Sequence, residues 1–578
     1  MLERICPKCN VPMVGERCVK PSCGYKTIAT TTLYWCNECN IPVYEKVCPI
    51  CGMVGEYIAT DLRPVFPEER LLIALILDEE DVFKYINTSM WCANTTYIVD
   101  GKKLKISISK INRWDMGKIR DIKEKYEALV HNIDYSYFDE NVKKFVIANC
   151  EHYNFITEEA TVYIQSFNDK YDIEDMFVSF SGGKDSTVTS HLVNKALGTN
   201  KVLHIFGDTT LEFPLTYEYK KRFNNNEESS GVRVISAKNR EKNFEELCQI
   251  VGPPSRVMRW CCTVFKTGAI QKTISSAFKD KTNILTFYGI RHSESASRGK
   301  YDRESDSPKI SKQTVVSPII EWIDFDVWLY ILTTGIDFND AYRLGYSRVG
   351  CWCCPNNGAW SEFLSKVHMY DKYIHWREKL IEFAKQIGKP DPEEYIDGGN
   401  WKARQGGNGL DAAQKTLVSF EPCATEENAV NYELQKPISE ELYELFKPFG
   451  YINKEMGNRR LGEVFVVNKA GKVILILQGR IGSNRLKVVI KDIHIAGAKN
   501  LQTAEGKVKC QLTKYQMCLG CKACESVCKH DAINVKDDGT GKIIYNIDDE
   551  KCVRCTECVG HFNAGCYMRK VLMIKRGK

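Results

Sequence analysis

Apolar and polar positions change rhythm several times along this chain. The first 60 residues hold no apolar run long enough to bury itself. Between 61 and 170 the spacing turns helical: Asp139 to Cys150 and Glu158 to Phe167 read as amphipathic helices, preceded by a small β unit around Leu104 to Ile111. At Met176 the pattern becomes that of an α/β domain. MFVSF (176–180) is a buried strand, SGGKDS (181–186) a loop, and Thr187 to Leu197 a helix closed by Gly198. KVLHIFGD then predicts a second strand ending in Asp208, and Val232 to Ser236 and Asn283 to Gly289 predict two more. Strands alternating with helices imply a parallel sheet whose ligand site lies at the carboxyl ends of the strands.

The serine-rich stretch from Ser293 to Lys312, with Ile310 its one large aliphatic residue, predicts a long mobile loop of the kind that forms lids. EVFVVNKAGKVILILQGR (463–480) predicts a hairpin turning at Lys469 to Gly471. From Gln516 onward cysteines dominate.

Composition narrows the class. The 578 residues are 43% hydrophobic and 27% charged, which suits a multi-domain globular protein. The net charge of +6 is too small at this length to argue for nucleic acid or membrane. Leu71 to Leu77, the longest aliphatic run, falls far short of the roughly 20 residues a membrane span needs. The opening MLERICPKC has no signal-peptide apolar region, so a cytoplasmic location without membrane contact is expected. The 26 cysteines, mostly in CxxC pairs, therefore predict metal ligands rather than disulfides.

Two units repeat near the start: Cys6, Cys9, Cys18 and Cys23, then Cys36, Cys39, Cys48 and Cys51. Each is too short for a core, so four thiolates around one Zn2+ would supply its folding energy. Two structural zinc ribbons are expected. At the other end, Cys518, Cys521, Cys524 and Cys528 have the spacing that holds [4Fe-4S] clusters in bacterial ferredoxins; Cys552, Cys555 and Cys558 repeat it, with Cys566 a late fourth ligand. In such proteins the fourth cysteine serves the other cluster. Cys518, Cys521, Cys524 and Cys566 would then hold one, and Cys552, Cys555, Cys558 and Cys528 the second. Lys529 stands where proline is usual after the fourth cysteine.

The loop Ser181-Gly182-Gly183-Lys184-Asp185-Ser186 lies between strand and helix, where glycines let backbone N–H groups approach an anion at the helix N-terminus. It is not a Walker A loop, because Val178 stands where the first glycine is needed and Asp185 where Ser or Thr should follow the lysine. SFSGGKDST, FGDTTLEFPLTYEY and YGIRHSES together resemble the PP-loop superfamily and, within it, the phosphoadenosine phosphosulfate (PAPS) reductase family, over about residues 171 to 360. That resemblance implies that Ser181, Gly182, Gly183, Lys184, Asp185 and Ser186 hold the phosphate or sulfate end of an adenine nucleotide. Asp208 would stand near its ribose or adenine, and Arg291 and Arg298 would meet the anion; Lys184, Asp185 and Arg291 are the catalytic candidates. Arginine suits the task because its planar fork binds phosphate bidentately.

Cys261-Cys262 and Cys351-x2-Cys354 are similar to the pairs by which adenylyl-sulfate (APS) reductases hold a [4Fe-4S] cluster beside the substrate. Four thiolates can hold a cluster or a zinc ion, and the adjacency of Cys261 and Cys262 favours the cluster. Cys353 is an extra thiol within the second pair. The reductases also carry a catalytic cysteine in a Glu-Cys-Gly-type motif near the C-terminus, and no such motif exists here. Cys423, in FEPCATEEN, is a lone cysteine with no activating neighbour in the sequence; Cys92, Cys150, Cys248 and Cys510 read as buried small hydrophobes.

The expected architecture is an α/β chain with a parallel-sheet PP-loop core, zinc ribbons before it and an α+β two-cluster ferredoxin-like domain after it. Its expected domains are two zinc ribbons (1–60), a connecting domain that could equally bind RNA (61–170), the PAPS reductase-like domain with its own cluster (171–420), a small mixed region (421–508) and the ferredoxin-like domain (509–578). Two functions fit. The first is an iron-sulfur oxidoreductase that binds APS or PAPS and reduces or transfers its sulfur group with electrons from the fused ferredoxin module, itself fed by an external donor. The second is an ATP pyrophosphatase, with Mg2+ as the nucleotide's companion, that adenylates tRNA or another nucleic acid for thiolation; the intact SGGKDS loop and the zinc ribbons suit it. A nucleotide-gated electron carrier without sulfur chemistry is a third.

Overall fold

The computed structural model describes residues 3–6, 11–13, 17–20, 23, 27–225, 231–240, 243–295, 297–306, 313–404, 419–518, 520, 523–540 and 542–560. The chain forms two compact units, Met1–Ala237 with Ile274–Trp376, and Lys238–Thr273 with Arg377–Lys578.

The first unit is built on a six-stranded sheet. In chain order its strands are Met176–Phe180, Leu203–Asp208, Val234–Lys238, Ile284–Tyr288, Glu304–Asp306 and Gln313–Val316, arranged 3-2-1-4-6-5. The first strand pairs in parallel with the second and the fourth, and the fourth with the sixth; only Glu304–Asp306, at the edge, is shown antiparallel. The central strands are largely apolar because helices cover them: Met176, Val178, Leu285 and Phe287 pack with Val188, Leu192 and Trp328 in one core. The helix after the loop is Lys184–Leu197, so its first turn takes in Lys-Asp-Ser, three residues earlier than the apolar pattern indicated. Gly198 closes it in the left-handed conformation, φ 63°.

Before this sheet lie two small cysteine-bearing sheets and a four-stranded antiparallel sheet in the order Lys102–Leu104, Thr96–Val99, Met90–Ala93, Arg63–Pro64. The β unit expected at Leu104 to Ile111 is thus displaced: the strands come earlier, and Ile108–Ile111 is a helical turn. The helix expected from Asp139 to Cys150 is Ser136–Ala148, broken at Asn149, and a second helix runs Cys150–Gln165. Asn149 is buried and spends its side chain on the backbone, accepting from Tyr44 N at 2.8 Å and donating to Pro42 O at 3.2 Å. The second ribbon is thereby fastened to the helices. The expected mobile loop after Ser293 contains short ordered pieces, His292–Glu294, Arg298–Lys300 and Glu304–Asp306; its residues 307–312 lie outside the described ones.

In the second unit an antiparallel six-stranded sheet includes the expected hairpin, Glu463–Val467 against Val473–Gln478, with Gly471 at φ 80° in the turn. The helix Leu501–Met517 leads into the ferredoxin-like segment, whose hairpin is Ile533–Asp537 against Ile543–Ile547. A single core joins them: Val430, Val466, Leu475 and Val488 share it with Val508, Val535, Tyr545, Ile547 and Cys558. Among the described residues no helix is long and apolar enough to cross a membrane.

Candidate functional site

The loop at Ser181 to Ser186 is held from within. Ser186 Oγ donates to Gly183 O at 2.9 Å and lies 3.1 Å from Ser181 Oγ. Asn339 Nδ2 reaches Gly182 O at 3.1 Å and Tyr342 Oη accepts from Lys184 N at 3.0 Å. Gly182 has φ 69°, and a Cβ there would come 2.9 Å from Thr216 Cγ2. Gly289, just past the fourth strand, admits no side chain either, since its Cβ would lie 2.6 Å from Asp185 O. The glycines therefore set both the shape of the loop and its distance from the neighbouring strand.

Over the loop four charged groups meet. Lys184 Nζ lies 3.4 Å from Asp185 Oδ2 and 3.2 Å from Asp324 Oδ1. Arg291 reaches the same two carboxylates, Asp185 through Nε and Asp324 through Nη2 at 2.6 Å. Burial works against every one of these charges, yet the partners outweigh it: Lys184 and Arg291 are held above their ordinary pKa values by Asp185 and Asp324, and both acids are held below theirs. At neutral pH all four are ionised. The four charges sum to zero, so an incoming anion shares Lys184 and Arg291 with Asp185 and Asp324.

Asp324 begins the helix Asp324–Thr334, and its position depends on Asp61, which accepts from Asp324 N at 3.1 Å and Phe325 N at 3.0 Å. Burial and the Asp324 charge push the Asp61 carboxyl up to about 7. These groups line a cavity of about 320 Å³ whose wall includes Asp61, Arg63, Cys92, Asn94, Thr95, Lys184, Arg291, Ser293, Glu294, Asp324, Ser347 and Arg348. The region 61–170, silent in sequence, thus supplies one side of the pocket. Arg63 is locked there by Glu69, Nη1 to Oε2 and Nη2 to Oε1 both at 2.7 Å. Cys92 is almost wholly buried, and burial pushes its thiol up to about 11, so it stays protonated at neutral pH.

At the rim Arg298 and Arg348 share the carboxylate of Glu294, Arg298 in direct contact and Arg348 Nη2 at 4.0 Å. Burial and the neighbouring Arg348 bring Arg298 down to about 10. Two guanidinium groups around one carboxylate leave an unbalanced positive charge that an anion would relieve. Asp208 is not among the residues lining this cavity; it accepts from Tyr217 Oη at 2.8 Å and Thr210 N at 2.9 Å at the end of its strand. The turn that follows adjoins the second cysteine pair: Thr209 Oγ1 is 3.3 Å from Cys351 Sγ, and Trp352 N donates to Leu211 O at 3.0 Å. Cys353 is buried, whereas Cys351 and Cys354 are half-buried.

The metal-binding cysteines fit their groups to different extents. The sulfurs of Cys36, Cys39, Cys48 and Cys51 lie within 4.8 Å of one another, with Cys36–Cys51 at 3.4 Å and Cys39–Cys48 at 3.8 Å. A tetrahedron of thiolates about 2.3 Å from Zn2+ has edges of about 3.8 Å, so this set fits a zinc ribbon. Cys6, Cys18 and Cys23 converge likewise, while Cys9 lies outside the described residues. In the second unit one cavity is walled by Cys528, Cys552, Cys555 and Cys558, the set the spacing assigned to a single cluster. Ala532 N donates to Cys528 Sγ at 3.3 Å, and Arg554 and Thr556, between the later cysteines, take positive φ. Of the other set, Cys518 and Cys524 are described, while Cys521 and Cys566 lie outside the described residues. Cys261 and Cys262 sit at the start of a π-helical turn, Cys262–Thr267, in this same unit.

Among the remaining thiols Cys92 and Cys510 are buried as expected, but Cys150 is exposed, because it opens a helix on the outer side of the Asn149 break, and Cys248 is partly so. Cys423 also differs from its reading in sequence: the hydroxyl and backbone N–H of Thr425 draw its thiol below the ordinary value. Asp61, Asp324, Tyr342 and Arg348 are site residues that motif reading missed. Asp324 had one signal, its place with Asp326 at the head of an apolar helical run; Asp61 had none.

Comparison with known proteins places these features. The model of the phosphoadenosine phosphosulfate reductase domain matches residues 175–357, and that of the 4Fe-4S dicluster domain residues 517–561. An uncharacterized protein of Methanocaldococcus jannaschii is 31% identical over 372 residues, 62% of this chain and 72% of its own. The adenosine 5'-phosphosulfate reductase of Bacillus mycoides is 25% identical over 183 residues, 31% of this chain and 73% of its own. Among solved structures, a phosphoadenylyl-sulfate (PAPS) reductase from Candida auris in phosphate complex aligns at 16% identity with a TM-score of 0.28, over 35% of this chain and 96% of its own.

Proposed function

This chain belongs to one family with the Methanocaldococcus jannaschii protein and carries a phosphoadenosine phosphosulfate reductase domain together with a 4Fe-4S dicluster domain; from that premise we propose that it is an adenylyl-sulfate-directed iron-sulfur oxidoreductase. It binds APS or PAPS on the Ser181 to Ser186 loop, takes electrons from its own ferredoxin-like segment, and releases sulfite. Two electrons enter, the bond between sulfur and the bridging oxygen breaks, and AMP or its 3'-phosphorylated form leaves.

The observation that carries this reading is the pocket itself, where Lys184 and Arg291 are held charged beneath a second pair of cations, Arg298 and Arg348. The first pair suits the oxygens around the bond that breaks. The second suits the outer anionic group. Asp61 and Asp324 orient the first pair, and the 61–104 sheet keeps water from that side. The partial burial of Cys351 and Cys354, beside a turn at the carboxyl end of the second strand, supports their service as cluster ligands, the role that the sequence resemblance also gives to Cys261 and Cys262. A [4Fe-4S] cluster there would supply electrostatic stabilisation and electrons; the burial of Cys353 supports leaving it out of the ligand set. Two structural Zn2+ ions in the ribbons complete the inventory.

Anaerobically reconstituted protein, offered ATP, APS and PAPS in turn with a low-potential reductant, tests the function. Sulfite from APS or PAPS is expected. Pyrophosphate from ATP, stimulated by RNA and without sulfite, would replace this reading with nucleic-acid thiolation.

A further inference from the structure

Within the second unit the ferredoxin-like segment is clamped to the stretch that follows Cys261 and Cys262. The helix Ala523–Val527, which carries Cys524, packs against the π-helical turn Cys262–Thr267. One turn further on, Lys272 forms an ion pair with Glu525, whose side chain is only 3% exposed. Gln271, buried beside it, donates from Nε2 to the carbonyl of Cys528 at 3.3 Å. Glu525 accepts in addition from Val535 N, so the same carboxylate ties the helix to its own hairpin. The backbone around Cys524 and Cys528, one ligand from each cysteine set, is therefore gripped by a single short stretch.

A buried carboxylate that meets a lysine across a contact between two segments fixes register more than it adds stability, because its desolvation offsets most of the attraction. The π turn adds a second sign of a special contact. Such turns disrupt the regular i to i−4 ladder and are frequent at functional sites. Here Asn239 Nδ2 donates to the Val264 carbonyl at 3.3 Å within it.

We propose that this contact is the port through which electrons pass from the ferredoxin-like segment into the metal centre served by Cys261 and Cys262, with Gln271 and Lys272 as positioning residues. The inference rests on the reading of Cys261 and Cys262 as cluster ligands. One electron crosses at a time: the donor cluster is oxidised as the acceptor is reduced, and two crossings supply one sulfite. The donor is refilled by an external low-potential reductant. Positioning is required because electron tunnelling weakens steeply with distance, and the pair Lys272–Glu525 sets that distance.

The test uses the full chain, reconstituted without oxygen, as wild type and as Lys272→Glu, Lys272→Arg and Gln271→Ala. Iron content is measured first, and reduction by limiting dithionite is then followed by freeze-quench paramagnetic resonance with no nucleotide present. Wild type should hold about twelve iron atoms, the ferredoxin-like clusters being reduced first and the third afterwards. Lys272→Glu should keep the iron and the first phase but slow the second at least tenfold. Gln271→Ala should slow it less, and Lys272→Arg should restore it to within about twofold. An unchanged second phase in both Lys272→Glu and Gln271→Ala overturns the port. A wild-type preparation with about eight iron atoms lacks the acceptor, and overturns the ligand reading together with the port.

Discussion

At the scale of single residues, the pocket turns on charges that are expensive to bury and are kept ionised by each other. Removing one partner leaves the remainder uncompensated, and a charge-assisted hydrogen bond of this kind contributes about 1.5–3 kcal/mol. Lys184→Ala should therefore weaken APS or PAPS binding by about 10- to 150-fold, as read by calorimetry. Arg291→Lys should do nearly as much, since a single ammonium cannot reproduce the fork by which Arg291 gives Nε to Asp185 and Nη2 to Asp324. Two histidines, His204 buried and His368 half-buried, bear on stability instead. Burial brings His204 and His368 down to about 4. Unfolded, each would titrate near the usual 6.5 or so, so the folded form binds fewer protons between these values. The stability they confer is full above about pH 6.5 and is lost as the pH falls towards 4, on the order of 3 kcal/mol for each. Urea midpoints measured from pH 7 to 4.5 should fall accordingly, and His204→Gln should flatten the slope.

At the scale of elements, the alternation of strand and helix from Met176 onward was legible because the central strands, Met176–Phe180 and Ile284–Tyr288, are largely buried and so read as nearly unbroken apolar runs. The loop and its fourth-strand neighbour were legible through their glycines. Gly182→Ala should abolish nucleotide binding while the domain stays folded, because the left-handed φ of 69° and the 2.9 Å approach to Thr216 both oppose a methyl group; circular dichroism with a nucleotide titration separates the two effects. The pocket's far wall was not legible. Arg63 and Cys92 belong to short strands, and Asn94 and Thr95 to the turn after one of them, in a sequence that resembles that of any small sheet, and Asp61 acts through backbone N–H groups more than 260 positions away in the chain. Nothing local marks such a residue. The ferredoxin-like segment was legible from its cysteine spacing, and the structure brings Cys528, Cys552, Cys555 and Cys558 to one cavity.

At the scale of the whole molecule, the cysteine clusters predict that metal and fold depend on each other at both ends. Chelation of zinc should unfold the second ribbon and, through Asn149 and the stacked pair Tyr44–His152 at 3.5 Å, loosen the helices on which it sits. A lowered melting temperature of the first unit after chelator treatment, reversed by added zinc, is the expected result. In the second unit the apolar core runs without a break from the antiparallel sheet into the cysteine-bearing hairpin, so Cys558 and Tyr545 are as much part of the sheet's interior as Val466. Oxygen damage to the iron would then be felt as a folding defect in residues that hold no metal at all: a chain poisoned by air should become digestible by trypsin along the 421–508 segment, which would let a cell clear its oxidised copies by ordinary proteolysis without any dedicated sensor.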